Sequence, residues 1–292
     1  MDLVEPSVQP AHPTLQLLEL EVGLGPRRLR LDRPCNLQTG RLYLLVGPSG
    51  SGKSSCSCCM SLPAGATLMS SKLNSSGAGA AGLCAAKHLK AQGVAVTVFE
   101  MGSHIGGLWV YENDNGLSPA YQSLHVNSEN RVTAYVDFPF PADAPLYPDH
   151  RQMTAYLRAY AEHFDLVKHI RFQSPIEAVQ ADPGHGGPSW YVTVRGQDKE
   201  RFDAVVVASG HQGVPLHPPF AKDFSGQYFH SHQYRVPEPF KGQRVLVVGI
   251  GNSACDIAAD VCTQAQATVI AARSPVLLMP RMFLGVPTSR VL

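Results

Sequence analysis

Two glycine-rich segments constrain what this chain can fold into: Gly77-Ala78-Gly79-Ala80-Ala81-Gly82 and Gly249-Ile250-Gly251-Asn252-Ser253-Ala254. Each fits the strand–turn–helix fingerprint in which a closely approaching backbone and a helix N-terminus hold a pyrophosphate. Two such segments predict an α/β chain with two Rossmann-like units, two bound dinucleotides and electron transfer between them.

The flanks of the two segments differ. After the first, Leu83, Cys84, Ala85, His88 and Leu89 can face a sheet while Lys87 and Lys90 face water, so an amphipathic helix is expected, stopped by Gly93. Residues 94–99 read as a strand, and Glu100 stands at its end, where a carboxylate accepts hydrogen bonds from a ribose. Ahead of Gly77, residues 70–76 are polar and turn-like, so a damaged or replaced first strand is expected. The second fingerprint follows residues 244–248, RVLVV, a clean buried-strand pattern, and precedes a helix with Ala254, Ile257, Ala258 and Val261 on one face. The next strand, residues 267–272, ends at Arg273 rather than at an acid. An arginine there suits a 2′-phosphate and hence NADP(H); a solvated strand-end charge is the plainer alternative.

Residues 1–72 have another character. A strand pattern at residues 41–46 runs into Gly47-Pro48-Ser49-Gly50-Ser51-Gly52-Lys53-Ser54, a full match to the P-loop, in which Gly52 belongs to the phosphate cradle, Lys53 reaches terminal phosphates and Ser54 meets magnesium. The sequence after Ser54 is a short run of poor helix formers ending at Pro63, and no second strand with a magnesium-holding aspartate follows before Gly77. Possible ATP binding by Gly52, Lys53 and Ser54 is therefore an alternative function, and a fusion remnant is the leading reading of this head. Cys56, Cys58 and Cys59 have no second pair downstream at zinc spacing, so no metal is expected there. His230 and His232 lack a third ligand at metal spacing as well.

A formal net charge of +1 over 292 residues argues for a small-molecule enzyme rather than a nucleic-acid binder, and 44% apolar residues suffices for real cores. The first residues lack a basic-then-apolar leader and no run of about 18 apolar residues occurs, so a cytoplasmic protein without a transmembrane segment is expected. Seven scattered cysteines suit a reducing compartment better than a disulfide framework.

Between the fingerprints, residues 224–234 fit FxGxxxHxxxY, with Phe224, Gly226, His230 and Tyr234 at its fixed positions. In chain order stand also Ile105-Gly106-Gly107-Leu108-Trp109, residues 121–127, Asp137-Phe138-Pro139-Phe140-Pro141 and residues 205–210. Together these make residues 76–292 resemble the flavin-containing monooxygenase family, while residues 14–62 resemble the P-loop start of an ATP-binding-cassette ATPase. The resemblance implies FAD with its pyrophosphate on Gly77, Gly79 and Gly82, its ribose on Glu100, and the Gly107, Leu108, Trp109 turn near the isoalloxazine. It implies NADPH on Gly249, Gly251, Asn252, Ser253 and Arg273. The implied reaction passes hydride to the flavin, forms a C4a-hydroperoxide with O2, and transfers one oxygen atom to nitrogen or sulfur of a small nucleophilic substrate.

Asn127 matches the family's catalytic asparagine; a turn or cap is its plainer role. His230 and Tyr234 identify the family and are read as linker residues between the cofactor lobes. Tyr234 with Arg235, rather than a tryptophan, favours heteroatom oxygenation over Baeyer–Villiger chemistry by analogy.

The resulting division is a P-loop-like segment at 1–72, the N-terminal part of an FAD-binding domain at 73–215, and a linker motif with a partial NADP-binding domain at 216–292. The resemblance implies a second unit that is C-terminally truncated relative to the family, and residues 275–292 are expected to pack loosely. A truncated, non-catalytic flavoprotein fragment is the third functional alternative. Met153, Leu157, Tyr160 and Phe164 recur at helical spacing after Pro148-Asp149, and short strands are expected near residues 170–172, 176–179 and 190–194.

Overall fold

The computed structural model describes the strands at residues 14–17, 21–24, 27–30, 35–38 and 66–69, and then residues 77–182, 189–274 and 279–290. Gly52, Lys53 and Ser54, the expected strand at 41–46 and Cys56, Cys58 and Cys59 lie outside the described residues. In the head, β1 (Thr14–Leu17) pairs antiparallel with β4 (Cys35–Gln38), and β2 (Glu21–Leu24) with β3 (Arg27–Arg30).

The main sheet is parallel and four-stranded, in the order β11-β5-β6-β7, from Ala66–Met69 (β5), Thr97–Phe99 (β6), Ile170–Arg171 (β7) and Ala204–Val207 (β11). The first strand of the unit is therefore the apolar Ala-Thr-Leu-Met of β5, inside the segment set apart as the head, and not the polar residues that adjoin Gly77. From β5 the chain passes through α1 (Ala80–Ala91) to β6, the right connection for a parallel neighbour. Helix α1 ends as expected: Gly93 adopts φ +76°, which a side chain rarely tolerates, and the N–H of Val94 returns to the Leu89 carbonyl.

Leu83, Ala86 and Leu89 of α1 pack against Val96 and Val98 on one side and against Tyr156, Leu157 and Tyr160 of α3 (His150–His163) on the other. Helix α3 carries a full capping box: the Asp149 carboxylate accepts from the Gln152 N–H at 2.8 Å and the Gln152 side chain from the Asp149 N–H at 2.9 Å. Met153, Leu157 and Tyr160 are buried as its spacing predicts, with Phe164 half-buried at the C-cap. A short helix α2 (Asn130–Thr133) precedes it.

A three-stranded antiparallel sheet, β8 (Ile176–Asp182), β9 (Ser189–Val194) and β10 (Glu200–Phe202), covers Phe99 through Ile176, Val192 and Val194. The second βαβ unit is β12 (Arg244–Val248), α4 (Asn252–Val261) and β13 (Ala267–Ala271), with the two strands parallel and in register from Arg244 to Val248. Strand β12 is not the buried strand its sequence predicts. Leu246 is 56% and Val248 58% exposed, because α4 covers one face of the two-stranded sheet and nothing among the described residues covers the other.

The terminal stretch is largely exposed, in line with the loose packing expected of it. Over residues 279–290 it forms the β14–β15 hairpin (Met282–Phe283, Val286–Pro287) and is tied to the body by Arg290, whose Nε donates to the buried Glu129 carboxylate at 2.6 Å. No helix among the described residues is long and apolar enough to cross a membrane.

Candidate dinucleotide and active site

The first fingerprint needs its glycines for packing. A Cβ on Gly77 would stand 2.4 Å from the Phe99 carbonyl oxygen, and one on Gly82 only 1.8 Å from the Gly77 carbonyl oxygen. Gly79 is the N-cap of α1, which has no side-chain cap, so the first amide groups of the helix are presented without a side-chain acceptor. A Cβ on Gly79 would lie 3.6 Å from the Gly107 Cα, so fingerprint and Gly107–Trp109 turn face one another closely. That turn is held by the Gly106 N–H, which donates to the Ala78 carbonyl at 3.0 Å, and Gly106 and Gly107 both take positive φ.

Glu100 sits at the end of β6 as predicted and is fully buried. Its carboxylate accepts from the Ala78 N–H at 2.9 Å and the Gly102 N–H at 2.8 Å, so it braces the fingerprint loop against the segment after β6. Leu108 and Trp109 are half-buried; the Leu108 carbonyl accepts from Ser118 Oγ at 2.8 Å and the Trp109 carbonyl from Thr154 Oγ1 at 3.1 Å.

The second fingerprint turns at Gly249, whose φ of +118° favours glycine, and its N–H donates to the Ala271 carbonyl at 2.8 Å. Gly251 is the N-cap of α4, again without a side-chain cap, and a Cβ placed on it would meet nothing within 4 Å. Asn252 and Ser253 open α4 and are exposed. Both fingerprint helices thus lack the side-chain acceptor that closes α3.

Next to this helix end lies a cleft of about 430 Å³, lined among others by Asn127, Tyr147, Ile250, Asn252, Asp256 and Arg281. Asn127 reaches it because residues 121–126 run along the start of α3: the His150 N–H donates to the Leu124 carbonyl and the Val126 N–H to the Pro148 carbonyl, each at 2.9 Å. Arg273 lies exposed beyond the end of β13 and is not among the lining residues.

The FxGxxxHxxxY residues are not gathered in the cleft. Phe224 is 56% exposed, and the His230 ring accepts from the His232 N–H at 3.1 Å while His232 bonds the Leu117 carbonyl at 3.1 Å, which commits the pair to local structure. Burial, followed by the nearby His217 and His232, holds the His230 imidazole below its ordinary value. Tyr234 is buried, and its hydroxyl donates to Asp260 Oδ2 at 2.6 Å; the same oxygen accepts from Ser123 Oγ at 2.8 Å. One turn earlier on α4, Asp256 Oδ2 accepts from the Tyr121 hydroxyl at 2.8 Å. Burial first, and the facing carboxylates second, push both phenols well above their ordinary range, so they remain donors.

These bonds join three parts: the linker motif through Tyr234, the segment leading to Asn127 through Tyr121 and Ser123, and α4 through Asp256 and Asp260. The rings reinforce the junction, with Tyr121 and Tyr234 at 5.7 Å edge-on and Phe240, Ile257 and Val261 packed around them. Sequence reading missed Asp256, Asp260, Tyr147 and Arg281. The only local signal was the i, i+4 spacing of the two aspartates, which puts them on one helix face.

The flavin-binding monooxygenase-like family model matches residues 70–292. The chain is 36% identical over 225 residues to flavin-containing monooxygenase 3 of Oryctolagus cuniculus, covering 74% of this chain and 42% of that protein. It is 37% identical over 224 residues to N-oxide-forming dimethylaniline monooxygenase 2 of Cavia porcellus, covering 73% and 42%. The chain thus spans less than half the length of these curated relatives. Among solved structures, S-allyl-L-cysteine S-oxygenase from Allium sativum superposes with a TM-score of 0.63 at 31% identity, covering 76% of this chain and 54% of that one. A flavin-containing monooxygenase from Stenotrophomonas maltophilia gives 0.61 at 27% identity, covering 75% and 61%.

Proposed function

The chain belongs to the flavin-binding monooxygenase-like family, and on that premise we propose that it uses FAD and NADPH to place one oxygen atom of O2 on the nitrogen or sulfur of a small soft nucleophile. The names of its relatives span both atoms: one is N-oxide-forming and one is an S-oxygenase. In this reading residues 73–215 carry FAD and residues 216–292 the linker and the NADPH fingerprint. The odd, scattered cysteines suit a cytoplasmic setting.

The residues present fit both groups. Helices α1 and α4 start at glycines without side-chain caps, and the open space beside Gly251 admits a pyrophosphate that a side chain would crowd. Gly77, Gly79 and Gly82 would hold the FAD pyrophosphate, Glu100 at the end of β6 would stand on the ribose side, and the Gly107, Leu108, Trp109 turn would border the ring. Gly249, Gly251, Asn252 and Ser253 would hold NADPH, with Arg273 at the 2′-phosphate. FAD, when bound, supplies the redox chemistry with NADPH and O2.

The protein's contribution is position. The Asn127 amide faces the same cleft as the second fingerprint, where it can donate to an oxygen or a carbonyl of a bound ligand, and the Tyr121 and Tyr234 bonds to α4 fix that relation. The observation that carries the proposal is this shared cleft: the asparagine and the helix end meet across more than a hundred residues of sequence. The test is to load the chain with FAD and follow NADPH oxidation together with oxygenation of a thioether and a tertiary amine. Oxygenated product, reduced about a hundredfold by Asn127→Ala, is expected; a loaded chain that does not oxidise NADPH would refute the proposal.

A further inference from the structure

The loop of residues 279–290 brings two arginines against the body of the protein, and they are placed differently. Arg290 is committed: its guanidinium is paired with the buried Glu129 carboxylate at 2.6 Å. Arg281 has no carboxylate within 4 Å among the described residues, and its guanidinium lies over the Tyr147 ring, 5.6 Å from the centroid. Its backbone is pinned, since the Arg281 carbonyl accepts from the Tyr147 hydroxyl and from the Thr288 N–H, each at 2.8 Å. The result is a planar cation on a fixed backbone, lying over an aromatic ring and exposed at the cleft that Ile250 and Asn252 also line.

Asp256 also borders that cleft and would repel an anion, yet its Oδ2 is held by Tyr121. Arg281 lines the same cleft, and its positive charge offsets that of Asp256 there. Arg273, by contrast, stands past the end of β13 and outside the lining. The two arginines therefore address different parts of a dinucleotide bound along α4.

We infer that Arg281 is a cofactor-binding residue that contacts the pyrophosphate shared by NADP and NAD, leaving discrimination between them to Arg273. This inference rests on the proposed function above. A guanidinium can take two phosphate oxygens at once, whereas an ammonium offers a point charge, so lysine should replace it only in part.

The test is direct titration of NADP+ and of NAD+ into the purified full chain, read by calorimetry, so that no turnover is needed. Arg281→Ala should weaken both dinucleotides by a similar factor, about tenfold, the scale of one charge-assisted contact. Arg281→Lys should fall between wild type and alanine, and Arg273→Ala should weaken NADP+ alone. Unchanged affinities in Arg281→Ala, or loss confined to NADP+, would overturn the inference while leaving the functional proposal standing. A wild-type chain that binds neither dinucleotide would overturn both. Arg281 is exposed and bonds to its neighbours through its backbone carbonyl, so the substitutions leave the loop's hydrogen bonds in place.

Discussion

Tyr234→Phe tests whether the linker motif is bonded to α4 as described. The substitution removes one hydroxyl and keeps the ring, so the packing with Tyr121 and Phe240 is retained. What is lost is a 2.6 Å hydrogen bond from a buried phenol to the Asp260 carboxylate. Hydrogen bonds to charged groups contribute about 1.5–3 kcal/mol. Asp260 is only half-buried and keeps the Ser123 hydroxyl at 2.8 Å, so the lower end applies, about 1.5 kcal/mol. For a unit of this size that corresponds to a fall in Tm of roughly 3–6 °C. The assay is thermal unfolding of wild type, Tyr234→Phe, Asp260→Asn and the double variant, followed by circular dichroism. The singles should be non-additive, with a coupling of about 1 kcal/mol, because Tyr234→Phe removes the donor of this bond and Asp260→Asn the charge that strengthens it. Strict additivity, or a Tyr234→Phe loss below about 0.5 kcal/mol, would show that this bond does not hold the junction.

Other substitutions separate packing from binding. Gly82→Ala drives a Cβ into the Gly77 carbonyl and should destabilise the protein by at least about 2 kcal/mol in chemical denaturation. Gly251→Ala meets nothing within 4 Å and should leave that midpoint unchanged while lowering NADP+ affinity in a titration. Burial holds the His150 imidazole below its ordinary 6.5, and its Nε2 has no hydrogen-bond partner among the described residues. The unfolded chain then binds a proton that the folded chain resists, so stability should decline as pH falls below about 6.5 and level off below the folded value. His150→Leu should flatten that part of the pH dependence of the denaturation midpoint. Lys53→Ala should leave FAD and NADP+ binding unaltered; labelled-ATP binding that disappears in this variant would instead support the P-loop alternative.

Local features of the fold were legible where a single segment encodes them. The helix after Gly77, its stop at Gly93, the Asp149 cap with its buried stripe and the second βαβ unit all follow from short-range pattern. The irregular lead-in to Gly77 is legible, but residues 66–69 are not recognisable as the strand that serves the fingerprint, because polar residues separate the two and the pairing of β5 with β6 and β11 is a long-range fact. The burial of β12 was overstated for a related reason: an apolar run specifies a strand, whereas burial depends on what covers each face, and Leu246 and Val248 remain open. At the site, sequence placed Asn127 and the α4 start in separate motifs; their meeting in one cleft depends on Tyr121, Tyr234 and the two aspartates, which no spacing rule connects. The placement of Arg281 is not legible for the same reason, as it depends on Tyr147 at a distance of 134 residues along the chain.

The central claim is that one chain holds FAD and NADPH in working relation, and the measurement that tests it most directly is anaerobic addition of NADPH to the FAD-loaded protein. The account predicts loss of the visible flavin absorbance, slowed in Gly251→Ala and restored when O2 is admitted. Flavin that stays bound and oxidised in the presence of NADPH, or a chain that takes up no FAD, would contradict it.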